Sequence, residues 1–420
     1  MSRRQAHAPA RQSIPTASRR LPRPAWRSAS NTGGQCRVTN DLYHPLTSEP
    51  NRRPHLAEWH GHRVFPIVAA HPTALQDQRQ RRCPFLSEIL GSLKTCVKAD
   101  NSQGVCSISA ESNGRRQDWL VCPYRALDDT LVATMTRRLF SVADDEPVAI
   151  IPVPTLTGER VKGTLGDGSG TRVFCYFQEK LGGEIGLSRT PASPELSFDI
   201  TLVELLLSDD GTRLCLGRYG VIELQTTDTH GSYRHAVSAL RGALDLHPDD
   251  FPAQVAANQE WSGRKVEGPN ISNVFKRTFY QVAFKFQVTK RETSVGCVLA
   301  IPQPVWDSWQ PFLGRPDLHR QADGTWRLLD DQNTDPADWI YVFDIAENPV
   351  ADGGPAPIEI KLVIGTDAAT LSRAALDVAP AKAIENSSGR DVVLASLHGR
   401  LRKILPGLLI ESAVDPFHLL

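Results

Sequence analysis

SFDITLVELLLSDDGTRLCLGRYGVIELQT, Ser197 to Thr226, is the stretch from which the rest of the chain is read. Two apolar runs flank Asp210-Gly211, and an Asp-Gly step between strand-like runs signals a hairpin. Side chains alternate faces along a strand, so Val221, Glu223 and Gln225 share one face while Ile222 and Leu224 share the other. Two polar groups thus aim the same way out of an apolar strand. If that face is buried, an unpaired carboxylate is too costly to keep, and Glu223 must meet a cation, a proton or a set of donors. Asp199 lies twelve residues before Gly211 and Glu223 twelve after it. Antiparallel pairing about the turn sets the two acids roughly opposite each other, bulges aside. Facing carboxylates repel, and a divalent ion that prefers hard oxygen ligands, as magnesium does, turns the repulsion into coordination. Such an ion can bind a phosphate oxygen and lower the pKa of a bound water, as phosphodiester hydrolysis requires.

A second stretch repeats the geometry: Asp344, the turn Asp352-Gly353-Gly354, then Glu359-Ile360-Lys361. Its other reading is a half-exposed strand, with Glu359 and Lys361 outward and Ile358, Ile360 and Leu362 inward. The residues alone leave both hairpins open as sites.

Working outward, PVAIIPVP (Pro147 to Pro154), VGCVLAIP (Val295 to Pro302), DWIYVFDI (Asp338 to Ile345) and PIEIKLVIG (Pro357 to Gly365) read as strands. SYRHAVSALRGAL (Ser232 to Leu244) has a serine cap and apolar residues at helical spacing, and NVFKRTFYQVAFKFQV (Asn273 to Val288) is a second helical segment. Strands and helices mix through the body, which predicts an α/β sheet flanked by helices. The expected organisation is a basic tail over 1–54, a cysteine-containing region over 55–130 and the main domain over 131–420.

Among eight cysteines, Cys83, Cys96, Cys106 and Cys122 fall within forty residues, separated by twelve, nine and fifteen residues. Four nearby thiols suggest a tetrahedral thiolate site for zinc or iron; buried free thiols are the alternative, since no close CxxC pair is present. Cys175, Cys215 and Cys297 sit in strand patterns as small core residues. His60 and His62 read as an exposed pair on a surface strand.

The net charge is zero but unevenly spread: the first 54 residues hold ten arginines against Asp41 and Glu49, leaving 37 basic and 45 acidic groups in the body. This gives no global basic signature for nucleic acid, so DNA binding would need local patches and metal-neutralised carboxylates. The Arg-, Pro- and Ser-rich tail reads as disordered; it is either a basic arm that touches phosphates or, the favoured reading, a solvated tail or the product of an upstream start codon. No apolar run is long enough to span a bilayer and no signal-peptide pattern opens the chain, so a cytoplasmic protein is expected, nucleoid-associated when bound to DNA.

YFQEKLGGE (Tyr176 to Glu184), SPELSFD (Ser193 to Asp199), RYGVIELQT, HGSYRHAV (His230 to Val237) and EGPNISNVFKRTFYQ (Glu267 to Gln281) together resemble the NotI-type type II restriction endonucleases. The resemblance runs from about Leu56 to at least Phe343. It implies a PD-(D/E)xK fold, with glutamine in place of the motif's lysine, as Gln225 stands here. It further implies Asp199 and Glu223 as ligands of catalytic Mg2+, Gln225 as positioner of water or phosphate, and Glu184 as an additional acid, with Glu179 and Glu195 less favoured. The second hairpin is then not the site. CPFL, CVKA, GVC and DWLVCP are similar to the family's metal-binding module, which implies structural iron or zinc on Cys83, Cys96, Cys106 and Cys122. That module would set Lys98, Arg115 and Arg125 against the duplex.

The function so implied is a homodimeric, Mg2+-dependent endonuclease that cuts both strands of a long GC-rich palindrome with 5′ overhangs, alongside a partner methyltransferase. Guanine reading calls for Arg or Lys forks, and Arg264, Lys265, Lys276 and Arg277 are the candidates; each also reads as a phosphate contact or a solvated face. Asn270 and Asn273 are candidates to cap their helix. Two rival classes remain: a DNA-binding metalloprotein without cleavage, and a nuclease of low sequence specificity.

Overall fold

The computed structural model describes residues 43–45, 52–112, 114–331, 334–346, 353–385 and 392–407, without the side chains of 43–45, 272–273 and 392. Nearly all of the basic tail, Cys36 and the turn residue Asp352 lie outside the described residues. The described residues all fall in one compact unit.

A four-stranded antiparallel sheet comes first: β1 (His55–Trp59), β2 (His62–Arg63), β3 (Val105–Ser112) and β4 (Arg115–Leu120), in the order β2-β1-β3-β4. Between β2 and β3 lies the helix α1 (Pro84–Leu90), and after β4 comes α2 (Asp129–Leu139). The Asp128 side chain caps α2 by accepting from the N–H groups of Thr130 and Leu131.

The main sheet has nine strands. In chain order they are β5 (Val148–Pro152), β6 (Arg172–Gln178), β7 (Ile200–Leu207), β8 (Leu214–Leu224), β9 (Ser294–Pro302), β10 (His319–Arg320), β11 (Trp326–Arg327), β12 (Asp338–Ile345) and β13 (Ile358–Thr366). Their spatial order is β10-β11-β13-β12-β9-β8-β7-β6-β5, with parallel and antiparallel neighbours mixed. The chain crosses from β8 to its parallel neighbour β9 through α3 (Arg234–Leu246) and α4 (Ile271–Val288). This is a mixed α/β architecture, a large mixed sheet flanked by helices.

Alternation along the strands divides the core between the two faces of the sheet. Val221, Leu299 and Ile340 pack with α3, α4 and residues of the small sheet such as Trp59 and Ile108. Ile222, Leu224, Val298 and Tyr341 pack with α2 and the cysteine segment. The face that carries Glu223 is therefore the face covered by α4.

The hairpin β7-β8 forms as its sequence predicts, with one adjustment. Gly211 adopts φ +68° at the turn, a left-handed conformation that glycine takes without steric cost. Near the turn Leu205 pairs with Leu216, but beyond the bulge Val203 pairs with Tyr219 and Ile200 with Ile222. The extra residue lies on β8 at Gly217 and Arg218, where a Cβ on Gly217 would stand 3.1 Å from Glu204 Cβ. The shift sets Asp199, the residue just before β7, against Glu223; the turn register carried through unbroken would have set it against Ile222.

Several expectations are corrected. His60 and His62 are buried: His62 Nε2 lies 2.8 Å from Asp77 Oδ2, and His60 Nδ1 lies 2.9 Å from Arg82 O. Cys215 is exposed, whereas Cys175 and Cys297 are core residues as expected. Asn270 occupies the N-cap position of α4 without a side-chain capping bond, the side chain of Asn273 is not among those described, and the N-cap of α3 is Tyr233, not Ser232. In β13 a bulge between the pairs Val342↔Leu362 and Phe343↔Ile360 turns Leu362 to the opposite face from Ile358 and Ile360.

Candidate functional site

Glu223 lies at the C-terminal end of β8, where it pairs with Leu299 of β9, and Gln225 continues the ladder by donating its N–H to Ala300 O at 2.9 Å. Ligand clefts of α/β sheets form outside such strand ends. Asp199 sits at the bend between the short strand Leu196–Phe198 and β7. The two acids grip each other's strands. Asp199 Oδ2 accepts the Leu224 N–H at 2.8 Å, and Glu223 Oε1 accepts the Asp199 N–H at 3.4 Å. Both carboxylates are thus oriented by backbone, which costs less side-chain entropy on ligand binding than two free rotamers would.

They open on a cleft of about 170 Å³, whose lining also includes Gln225, Asp228, Arg277 and Thr278. Gln225 Oε1 accepts the Thr278 hydroxyl, and its amide nitrogen donates to Thr226 O. Arg277 Nη1 donates to Asp228 Oδ2 at 2.5 Å, and both side chains are exposed.

The residue that sequence reasoning missed is Lys285. Its ammonium comes from α4 and is bonded to Glu223 Oε2, in a pair of which both side chains are buried. It also lies 5.9 Å from the centroid of the Phe198 ring. Val274, Thr278, Val282 and Lys285 recur at helical spacing on the buried stripe of α4, between apolar neighbours such as Phe286. A lysine on such a stripe is the signal that could have found it.

Two carboxylates share one ammonium here, so with both ionised one negative charge would stay uncompensated. Burial first, and then the Asp199 carboxylate beside it, push Glu223 up to about 8 against the pull of Lys285. Burial likewise raises Asp199, with Lys285 and the Leu224 N–H acting against the rise and Glu184 adding to it. This donor set, two oxygen-bearing groups repelling each other across a polar cleft, suits a hard divalent cation. Asp199 and Glu223 are the residues that could hold one.

The remaining candidates separate. Glu184 is exposed in the loop after β6, within electrostatic reach of Asp199 but outside the cleft lining. Glu179 accepts the Tyr124 hydroxyl at 2.7 Å. Arg277 lines the cleft and Lys276 is exposed beside it on α4, whereas Arg264 and Lys265 line a different hollow with His55. In the second hairpin Asp344 does pair directly with Glu359, but Glu359 is exposed and bonded to Lys361 at 2.5 Å.

The thiols of Cys83, Cys96, Cys106 and Cys122 lie within electrostatic reach of one another. Burial pushes Cys83 up to about 12 and also raises Cys106 and Cys122, and the neighbouring thiols add to the rise. N–H groups act the other way, from Leu86 and Phe85 on Cys83 and from Tyr124 and Arg125 on Cys122. Gly104 N–H donates to Cys96 Sγ at 3.2 Å. The donors suit a thiolate-seeking ion, yet among the described residues no three His, Cys, Asp or Glu side chains form a group that could hold a metal ion. Nor are all the basic residues of this segment open to a duplex. Arg125 is 1% exposed, bonded to Glu58 and Ala356 O, and Lys98 donates to the carbonyls of Val105 and Val121. Arg115 is exposed but pairs with Asp307 at 2.6 Å.

Among the described residues no helix is long and apolar enough to cross a membrane. No protein-family model and no curated protein matches the chain.

Proposed function

We propose that the protein is a Mg2+-dependent endonuclease of the PD-(D/E)xK type, a type II restriction enzyme that cuts both strands of a GC-rich palindromic DNA site as a homodimer. The observation that carries the reading is the pair Asp199 and Glu223, opposed across a hairpin at the mouth of a cleft, with Gln225 two residues on. The sequence resemblance to NotI-type enzymes gives the reading its substrate, its two-fold symmetry and its 5′ overhangs.

In this reading Asp199 and Glu223 hold the ion, their orientation set by the N–H groups of Leu224 and Asp199. The ion would supply a Lewis acid for the phosphate oxygen and a lowered pKa for water. Gln225, with its carbonyl held by Thr278, would turn its amide toward a water or a phosphate oxygen, a neutral group where the motif more commonly has a charge. Arg277 would meet backbone phosphate at the cleft rim, exchanging Asp228 for it. Iron or zinc on Cys83, Cys96, Cys106 and Cys122 belongs to the same reading as a structural element, supported by the mutual reach of the four thiols and the N–H groups that favour their thiolates.

Plasmid cleavage with Mg2+ tests this, comparing the parent with Glu223→Ala and Glu359→Ala. Discrete cuts that vanish only with Glu223→Ala support the assignment; loss only with Glu359→Ala moves the site to the second hairpin. Specific binding without cutting by the parent would favour a DNA-binding metalloprotein, and a smear of products a nuclease of low specificity.

A further inference from the structure

Lys285 has no counterpart among the residues that the hairpin itself supplies. It reaches the acid pair from α4, 62 residues after Glu223, and its ammonium is bonded to Oε2 of Glu223, the carboxylate oxygen that the Asp199 N–H does not take. Fully ionised, Asp199, Glu223 and Lys285 sum to one negative charge. A divalent ion turns that sum to one positive charge, which is matched by the single negative charge of a phosphodiester. The Asp228 and Arg277 pair is neutral and Gln225 is neutral, so neither alters this count. Glu184 is exposed and solvated. Once Glu223 turns to an ion, the buried ammonium loses its partner, and a buried charge without one is strongly disfavoured. An anion entering the cleft restores the balance.

We propose that Lys285 is a resident cation that holds the metal's place against Glu223 and, once a divalent ion claims that carboxylate, becomes the cleft's cation for a phosphodiester. Metal affinity and backbone binding are thereby coupled through one side chain. This rests on Asp199 and Glu223 being a metal site, as proposed above, and deepens it by naming what regulates that site. It also assigns to a helix the positive charge that Gln225 does not carry.

The test uses the full chain and Ca2+, an oxygen-seeking ion that can be titrated independently of cleavage. In Lys285→Met, Ca2+ should bind about tenfold or more tighter than in the parent, because the competing ammonium is gone, and should raise the melting temperature by more. The Ca2+-dependent gain in affinity for a short duplex, seen in the parent, should disappear in Lys285→Met and return in part in Lys285→Arg. Unchanged or weaker Ca2+ binding by Lys285→Met overturns the proposal, as does an intact Ca2+-dependent gain in duplex affinity. If Lys285→Met does not fold without metal, refolding in Ca2+ decides: an ion can replace a place-holder but cannot replace lost packing. Parent Ca2+ binding that Glu223→Gln leaves untouched removes the metal site and the proposal together. Ca2+ binding that obeys these rules in a protein that cuts no DNA leaves Lys285 as assigned and sinks the nuclease reading alone.

Discussion

Asp338 shows how one buried carboxyl makes stability depend on pH. It accepts the Cys297 N–H at 3.0 Å through Oδ1, while Oδ2 has no hydrogen-bond partner. Burial pushes its pKa up to about 7, with Asp367 adding and the Cys297 N–H and Lys290 opposing. The folded pKa is raised above the unfolded value, so the contribution is fully present below about 3.8 and is lost as pH rises through about 7. Urea denaturation of Asp338→Asn should therefore show a flatter stability profile between those values than the parent; parallel profiles would remove Asp338 as the cause. Glu58 makes the opposite case, a buried acid that burial would raise but that Arg125 and Arg63 hold below the usual carboxylate range. Glu58→Ala strands the Arg125 guanidinium in the core and should cost about 3–5 kcal/mol. A loss under about 1 kcal/mol would mean that Arg125 finds solvent or another acceptor.

At the scale of elements, the bulge on β8 aligns the site. A strand shifted by one residue turns every side chain to the other face. Deleting Gly217 removes the extra residue of β8, so Val203 still meets Tyr219, Asp199 still meets Glu223, and the Ca2+ response should persist. A deletion variant that loses Ca2+ binding would show that the bend of the bulge, beyond the pairing itself, aims Glu223. Helix α4 contributes through packing: Phe286 is fully buried one residue beyond Lys285. Phe286→Ala should cost about 3–5 kcal/mol. If the protein cleaves DNA as proposed, the rate should fall even at temperatures where the variant stays folded, because the helix that aims Lys285 and Thr278 is loosened. Unaltered cleavage by the folded variant would separate the helix from the site.

For the whole molecule, the small sheet and the main sheet share a core, with Trp59, Ile108 and Trp119 packing into the same cluster as Val221 and Phe286. The cysteine segment joins the other face, where Cys83, Cys106 and Cys122 pack with Phe174 and Ile222. A metal bound there would stabilise the face of the sheet opposite α4. The purified protein is expected to contain about one iron or zinc per chain. Cys106→Ser should lose that metal and lower the melting temperature, and a protein that carries no metal and melts unchanged after the substitution would leave the four thiols as core residues. If the proposed palindromic site is the substrate, sedimentation should give the mass of two chains; a monomer at working concentration would count against paired cutting.

What the sequence by itself determined was local. Asp210-Gly211 and the strand alternation were enough to predict a hairpin with two acids near its far end, because turn chemistry and a period of two act within one short stretch; the bulge at Gly217 and Arg218, which sets Asp199 against Glu223 in place of Ile222, was not legible there. The same rules described the second hairpin equally well, and they could not separate the two. Burial separated them: Glu223 lies under α4 at 6% exposure, whereas Glu359 stands in solvent beside Lys361. The contact of Lys285 with Glu223 and the burial of Arg125 and of both histidines were likewise decided by tertiary structure. Each depends on how a helix or loop packs against a strand far away in the chain, and no periodicity within either segment records that contact.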